Sequence, residues 1–263
     1  MARSLIAVLV GLLCIAARAP AQGKPSGGRL TLAAGAVLVA ERDEHASPLR
    51  YDGAGPFVRV SFETRTEQRA LVVRLGGAIG TLRSAMTGAD DLPRQELTRG
   101  WIDVEYARRI VARGHRTRWL LGASLAERGT VLRHLTVPAG ANIVGYALYS
   151  TAIGPLVAIE ATGRRSRLGA QLAVPVLALI GRPYGGLYNE LTLIPGGLRF
   201  HLATVDAFQA GDVTTAYAME LTRGAELLLS YQLVVERYRD DAPLSFASQA
   251  ASLGLTIRLG ADR

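Results

Sequence analysis

The stretch SLGLTIRL, residues 252–259, alternates without a break. Leu253, Leu255, Ile257 and Leu259 fall on one side; Ser252, Gly254, Thr256 and Arg258 fall on the other. Side chains of an extended chain point alternately to opposite faces, so this period of two predicts a strand with one apolar and one polar face. Residues 225–238 repeat the pattern. There Leu227, Leu229, Tyr231, Leu233 and Val235 oppose Glu226, Ser230, Gln232 and Glu236. Just before them Tyr217, Met219 and Leu221 oppose Ala216, Ala218 and Glu220, and Arg223-Gly224 between the two runs predicts a tight hairpin.

The same alternation recurs upstream. Val58, Val60 and Phe62 oppose Arg59, Ser61 and Glu63, and Leu71, Val73 and Leu75 oppose Arg74, Gly76 and Ala78. Ile102, Val104 and Tyr106 oppose Asp103 and Glu105; Trp119, Leu121, Ala123 and Leu125 oppose Arg118, Gly122, Ser124 and Ala126. Leu168, Ala170, Leu172 and Val174 oppose Arg167, Gly169 and Gln171. Residues 29–41 and 142–160 are read as strands in which both faces are small or apolar. Short polar links at 65–69, 113–117, 162–166 and 223–224 alternate with long ones at 42–55, 80–98, 128–141, 181–213 and 239–246. The count is ten strands, with both chain ends on the short-link side. Residues 198–208 could form a further strand and are read as a hairpin extension or a loop folding into the mouth; a twelve-strand count stays open.

The N-terminus has the parts of a secretory signal in order: Arg3, the apolar run 5–16, and small residues at Ala19-Pro20-Ala21. Cleavage after residue 21 removes Cys14, the only cysteine, so an exported chain would rely on packing and hydrogen bonds instead of disulfides. Residues 22–28 are then a linker and 29–260 the folded domain. The basic residues are arginines apart from Lys24, and they are scattered, which argues against a nucleic-acid surface. Mean hydropathy is positive, at +0.20, so much apolar surface must be hidden in a core or in lipid.

The leader, the alternating strands, the short and long links and the closing LGLTIRL strand together resemble a bacterial outer-membrane β-barrel protein. The resemblance implies an all-β, antiparallel up-and-down transmembrane barrel. It also implies an outer-membrane location, lipid and the barrel assembly machinery as partners, and long loops outside where an extracellular ligand could bind. The chain departs from that family at its end, where Gly260-Ala261-Asp262-Arg263 follow the last strand instead of a terminal aromatic residue. A secreted β-sandwich or lipocalin-like barrel is the alternative, because alternation says which residues share a face and not which face is outside.

If the apolar faces meet lipid, the opposite faces line the lumen. They carry Arg59, Arg74, Arg109, Arg167 and Arg258 against Glu63, Asp103, Glu105, Glu220 and Glu226. Buried charges are costly unless paired, so this balance predicts an ion-paired, mostly plugged lumen and a structural or loop-mediated role. A small-solute or lipid channel and a barrel hydrolase are the other classes. For the hydrolase, only His201 with Asp206, or with Asp90-Asp91, is available, and the local pattern matches no known constellation. His45, His115 and His134 sit in expected loops or turns. No metal spacing, phosphate loop or cofactor motif is present. Trp101, Trp119, Tyr106, Tyr217 and Tyr231 are candidates for an interfacial aromatic girdle.

Overall fold

The computed structural model describes residues 26–43, 50–84, 94–111, 117–134, 143–144, 146–183, 188–189, 198–239 and 243–260. The expected leader, residues 1–21, lies outside them. Six unbroken strands come first: β1 (Ser26–Asp43), β2 (Arg50–Arg65), β3 (Arg69–Ser84), β4 (Arg94–Val111), β5 (Thr117–His134) and β6 (Tyr146–Thr162). Then β7 runs as Ser166–Ala173 and Leu177–Pro183, and β8 as Leu198–Thr204 and Phe208–Thr222. The last two are β9 (Ala225–Tyr238) and β10 (Leu244–Leu259). Each strand pairs antiparallel with its neighbour in sequence. The ring closes where β10 pairs with β1, from Gly28 opposite Leu259 to Asp43 opposite Leu244. Closure removes the sheet edges and so satisfies the backbone within the wall. One two-residue pair, Ile143–Val144 with Tyr188–Asn189, lies outside the ring.

Residues 198–204 are a strand, not a loop extension, yet the ring keeps ten strands. Pro175 has no N–H to give to the ladder, and β7 is interrupted there. Its flanks hold on to β6: the Val174 N–H donates to Pro155 O at 3.1 Å and the Val176 N–H to Ile153 O at 2.9 Å. On the other side β8 takes up the break with a turn at 205–207, where the Ala207 N–H donates to Thr204 O at 3.0 Å. Leu198–Thr204 then pairs with Leu177–Pro183, and Phe208–Thr222 with Ser166–Ala173. The two segments are one strand bent around a proline.

The apolar faces point outward, which removes the sandwich and lipocalin-like alternatives. Val58 is 59 % exposed, and Leu229 and Leu253 are each 56 % exposed, while Thr31, Arg59, Ser230 and Thr256 are buried inside the ring. Toward the long-link end the pattern inverts. On β3, Leu75 is outside, but nearer the rim Leu82 is fully buried inside and Arg83 is exposed. On β5, Leu121 and Leu125 are outside, whereas Leu132 is buried and Arg133 exposed. The exposed Arg42 and Arg50 are register partners, as are the exposed Arg83 and Arg94, and Arg237 pairs with Ser245. An apolar-out, polar-in wall thus becomes a polar-out, apolar-in wall.

Trp101 is on the lumen side, not in a girdle. Parity places it between buried Arg99 and Asp103; it packs on the apolar lumen cluster and lies 6.1 Å from the Phe57 ring. Trp119, Tyr106, Tyr217 and Tyr231 are exposed on the outer face. Gly76 is the register partner of Trp101, and the indole covers the space that a side chain there would occupy. Gly76→Val should therefore cost about 1–3 kcal/mol by overpacking. Urea unfolding of the refolded protein followed by tryptophan fluorescence measures this; an unchanged midpoint would contradict the packing.

Candidate functional site

The interior is stacked in three layers along the barrel axis. At the long-link end the lumen is a packed apolar cluster. Tyr51, Phe57, Leu82, Leu97, Leu132, Ile180, Phe208 and Leu244 are all buried in it. Protein interiors of this kind pack about as densely as organic crystals. Two arginines at its edge are covered by rings: Arg99 lies 3.9 Å from the Phe246 centroid and Arg182 5.6 Å from that of Tyr238.

Below it is an ionic layer that bridges the lumen. Glu236 on β9 accepts from Arg99 on β4 at 3.3 Å and from Arg128 on β5. Arg128 also donates to Asp212 on β8 at 2.9 Å, and Asp212 accepts from Gln232 at 2.8 Å and Thr214 at 3.3 Å. Arg99, Arg128, Asp212 and Glu236 are all buried. These bonds span β4, β5, β8 and β9, so they cross the ring as well as run along its wall. A cavity of about 30 Å³ lies beside them.

The third layer widens toward the short-link end. A cavity of about 110 Å³ in mid-barrel shares Glu63, Arg65, Glu160 and Arg167 with a mouth cavity of about 450 Å³. Arg65 contacts both Glu63 and Glu160. Glu226 gathers three arginines, with Arg258 at 2.6 Å and Arg29 and Arg167 each at 3.8 Å. The interior is therefore a blind funnel, open at the short-link end, where the described chain begins at Ser26 and ends at Gly260, and stopped by the ionic and apolar layers above.

All ten charges expected on the lumen face lie on that face, but not as one network. Arg74 pairs with Glu105, and both bond Gln171, at 3.2 Å and 2.7 Å. Arg167 reaches Glu63 at 3.4 Å, and Arg258 reaches Glu226 and, at 3.8 Å, Glu220. Arg59 bonds the Ser230 hydroxyl at 2.6 Å and that of Ser252 at 3.4 Å. Asp103 is buried with neither carboxylate oxygen hydrogen-bonded. Arg109 is half-buried, and its side chain makes no ion pair among the described residues.

The cross-lumen cluster of Arg99, Arg128, Asp212 and Glu236 is not in the set expected from sequence. Arg128 and Asp212 fall in segments read as long links, because outward apolar residues thin out there. Glu236 could have been found, since it sits at an inward position of the β9 alternation. Arg128 was hidden by the early end given to β5 and Asp212 by the late start given to β8, whereas Arg99 directly follows the 80–98 link and shares the parity of Asp103.

No family model matches the chain, and no curated protein matches its sequence. Solved structures do match in fold. The outer membrane protease OmpT from Escherichia coli aligns over 90 % of this chain and 98 % of its own, with 10 % identity and a TM-score of 0.56. The fold is that of a bacterial outer-membrane β-barrel. Neisserial surface protein A covers 89 % of this chain and 99 % of its own at 11 % identity, with a TM-score of 0.40. The translocator domain of the autotransporter NalP from Neisseria meningitidis covers 98 % of both at 10 % identity, with a TM-score of 0.38.

Within this outer-membrane-type barrel the two residues of the candidate hydrolytic pair, His201 and Asp206, make no polar contact with each other among the described residues. His201 pairs in register with buried Ile180, so it stands on the lumen side of the β8 rim, where it is exposed. Asp206 is exposed in the 205–207 turn, and no hydrogen bond or ion pair joins the two among the described residues. Asp90-Asp91, His45 and His115 lie outside the described residues; His134 ends β5. No cluster of three metal-binding side chains occurs among the described residues.

Proposed function

We propose that the protein is a closed barrel of the bacterial outer membrane that conducts no solute and acts through its two ends. The closed lumen carries this reading: an apolar layer and a cross-braced ionic layer stand in series across a ten-stranded ring. Barrels of this size are filled by side chains, unlike the wide lumens of sixteen or more strands. Membrane embedding is supported by the broad outer band of exposed Leu, Val, Ile, Tyr and Trp, which water would not tolerate as one continuous patch. The inversion of pattern near the long-link rim, with arginines outside, marks where the wall leaves the hydrocarbon. The long links then face the cell exterior and the termini face the periplasm, as short periplasmic turns require. Residues 1–21 would deliver the chain there, and lipid is its partner along the wall. A hydrolase similar to the protease neighbour is less well supported, because no hydrogen bond or ion pair joins His201 and Asp206 among the described residues.

Planar-bilayer recording tests this role. The refolded protein should give no steady conductance at either polarity, and a steady open channel in the unmodified protein would overturn it.

A further inference from the structure

The blind funnel has a charge imbalance that its own ion pairs do not absorb. Seven arginines and five glutamates line its mouth. Among them Arg118, Arg164 and Arg165 make no ion pair among the described residues, and the buried Nη1 of Arg29 has no hydrogen bond. Deeper in, Arg59 lines the mid-barrel cavity, is only 6 % exposed, and touches two serine hydroxyls but, among the described residues, no carboxylate at ion-pair distance. Asp103, Asp212 and Glu105 act on it only from farther away. A guanidinium held this deep without a contacting anion is costly, and its flat fork of donors suits an oxyanion.

We propose that the funnel is a binding site for a small, multiply charged oxyanion that enters from the short-link end, with Arg59 as its deepest contact. The mouth draws the anion in through its surplus of arginines, and fields inside low-dielectric walls are focused on such a solute. The 110 Å³ inner cavity is large enough for one phosphoryl or carboxylate head group, and the 450 Å³ mouth holds the rest of the molecule. The glutamates on Arg65, Arg167 and Arg258 keep those side chains ordered, which leaves Arg59 and Arg118 for the ligand, together with the unbonded Nη1 of Arg29, whose other nitrogen stands 3.8 Å from Glu226. The closed far end makes this a receptor site, not a transit path. The receptor reading rests on the closed lumen proposed above; anion binding in the funnel does not.

The test is calorimetric titration of the refolded protein in detergent with pyrophosphate and, separately, citrate. At least one should bind saturably and weaken as salt rises, and which one binds separates phosphoryl from carboxylate ligands. Arg59→Gln should weaken that binding at least tenfold, while Arg59→Lys, which keeps the charge, should weaken it less. If Arg59→Gln does not refold, the double variant Arg118→Gln/Arg164→Gln at the mouth replaces it, with a loss of at least threefold expected. Binding of neither probe, or equal binding by the parent and the substituted proteins, would overturn the proposal. Conductance plays no part in the readout, so an open channel would not bear on it.

Discussion

Glu236→Gln should lower the stability of the folded barrel by about 3–5 kcal/mol, the cost of leaving buried charge uncompensated. Glu236 is 3 % exposed and accepts from both Arg99 and Arg128. Glutamine keeps the shape and one acceptor oxygen but not the charge. Arg128 would keep its contact with Asp212, but Arg99 would lose its one carboxylate at ion-pair distance among the described residues. The change creates no cavity, so the loss reports electrostatics and not packing. Adding Arg99→Met removes one of the two cations and should recover most of the loss, because an apolar side chain at that position meets Phe246. Urea unfolding of the single and double variants in the same micelles checks both. A double variant no more stable than Glu236→Gln would show that Arg99 and Glu236 are not coupled.

Leu255→Arg should cost about 1–3 kcal/mol in lipid vesicles, the penalty of placing a guanidinium on the lipid face between the short-link rim and mid-bilayer. Leu255 is 45 % exposed on β10, between Leu32 of β1 and Leu227 of β9. The three form one apolar row well below the arginine-bearing rim. Arg83→Leu, on the outer face beyond the inversion, should change stability by less than about 0.5 kcal/mol, as exposed substitutions do. The contrast between the two locates the hydrocarbon boundary. Equal small effects would mean that the band at Leu255 does not face lipid.

Strand identity was legible wherever one face was apolar and the other polar. From Trp119 to Ala126 and from Leu227 to Glu236, period two alone assigned each residue to its face. The ends of the strands were not legible. Residues 128–134 were assigned to a link because Gly129 and Arg133 break the outward apolar run, yet β5 continues to His134 with Thr130 and Leu132 buried inside. The same happened at Leu82, Leu97 and Leu244, which form the apolar layer. A wall that leaves lipid swaps its inner and outer chemistry, so a rule tuned to greasy outer faces stops there. Trp101 was misplaced for a related reason: a large aromatic suits a girdle or a core equally well, and only its parity with Asp103 decided. The ion pairs of the lumen depend on register across strands far apart in sequence, such as Arg128 with Asp212 and Glu236, and no local pattern encodes that.

Sequence by itself determined that this is an all-β chain of strands with alternating faces, ten by count with twelve left open, because side-chain direction in an extended backbone is a local property. Only the tertiary structure decided which face is outside, since closing the ring in either sense preserves the alternation. The same holds for the floor of the lumen. Charges of both signs can be read along single strands, but which of them meet, and that Arg59 meets none, is set by closure of the wall.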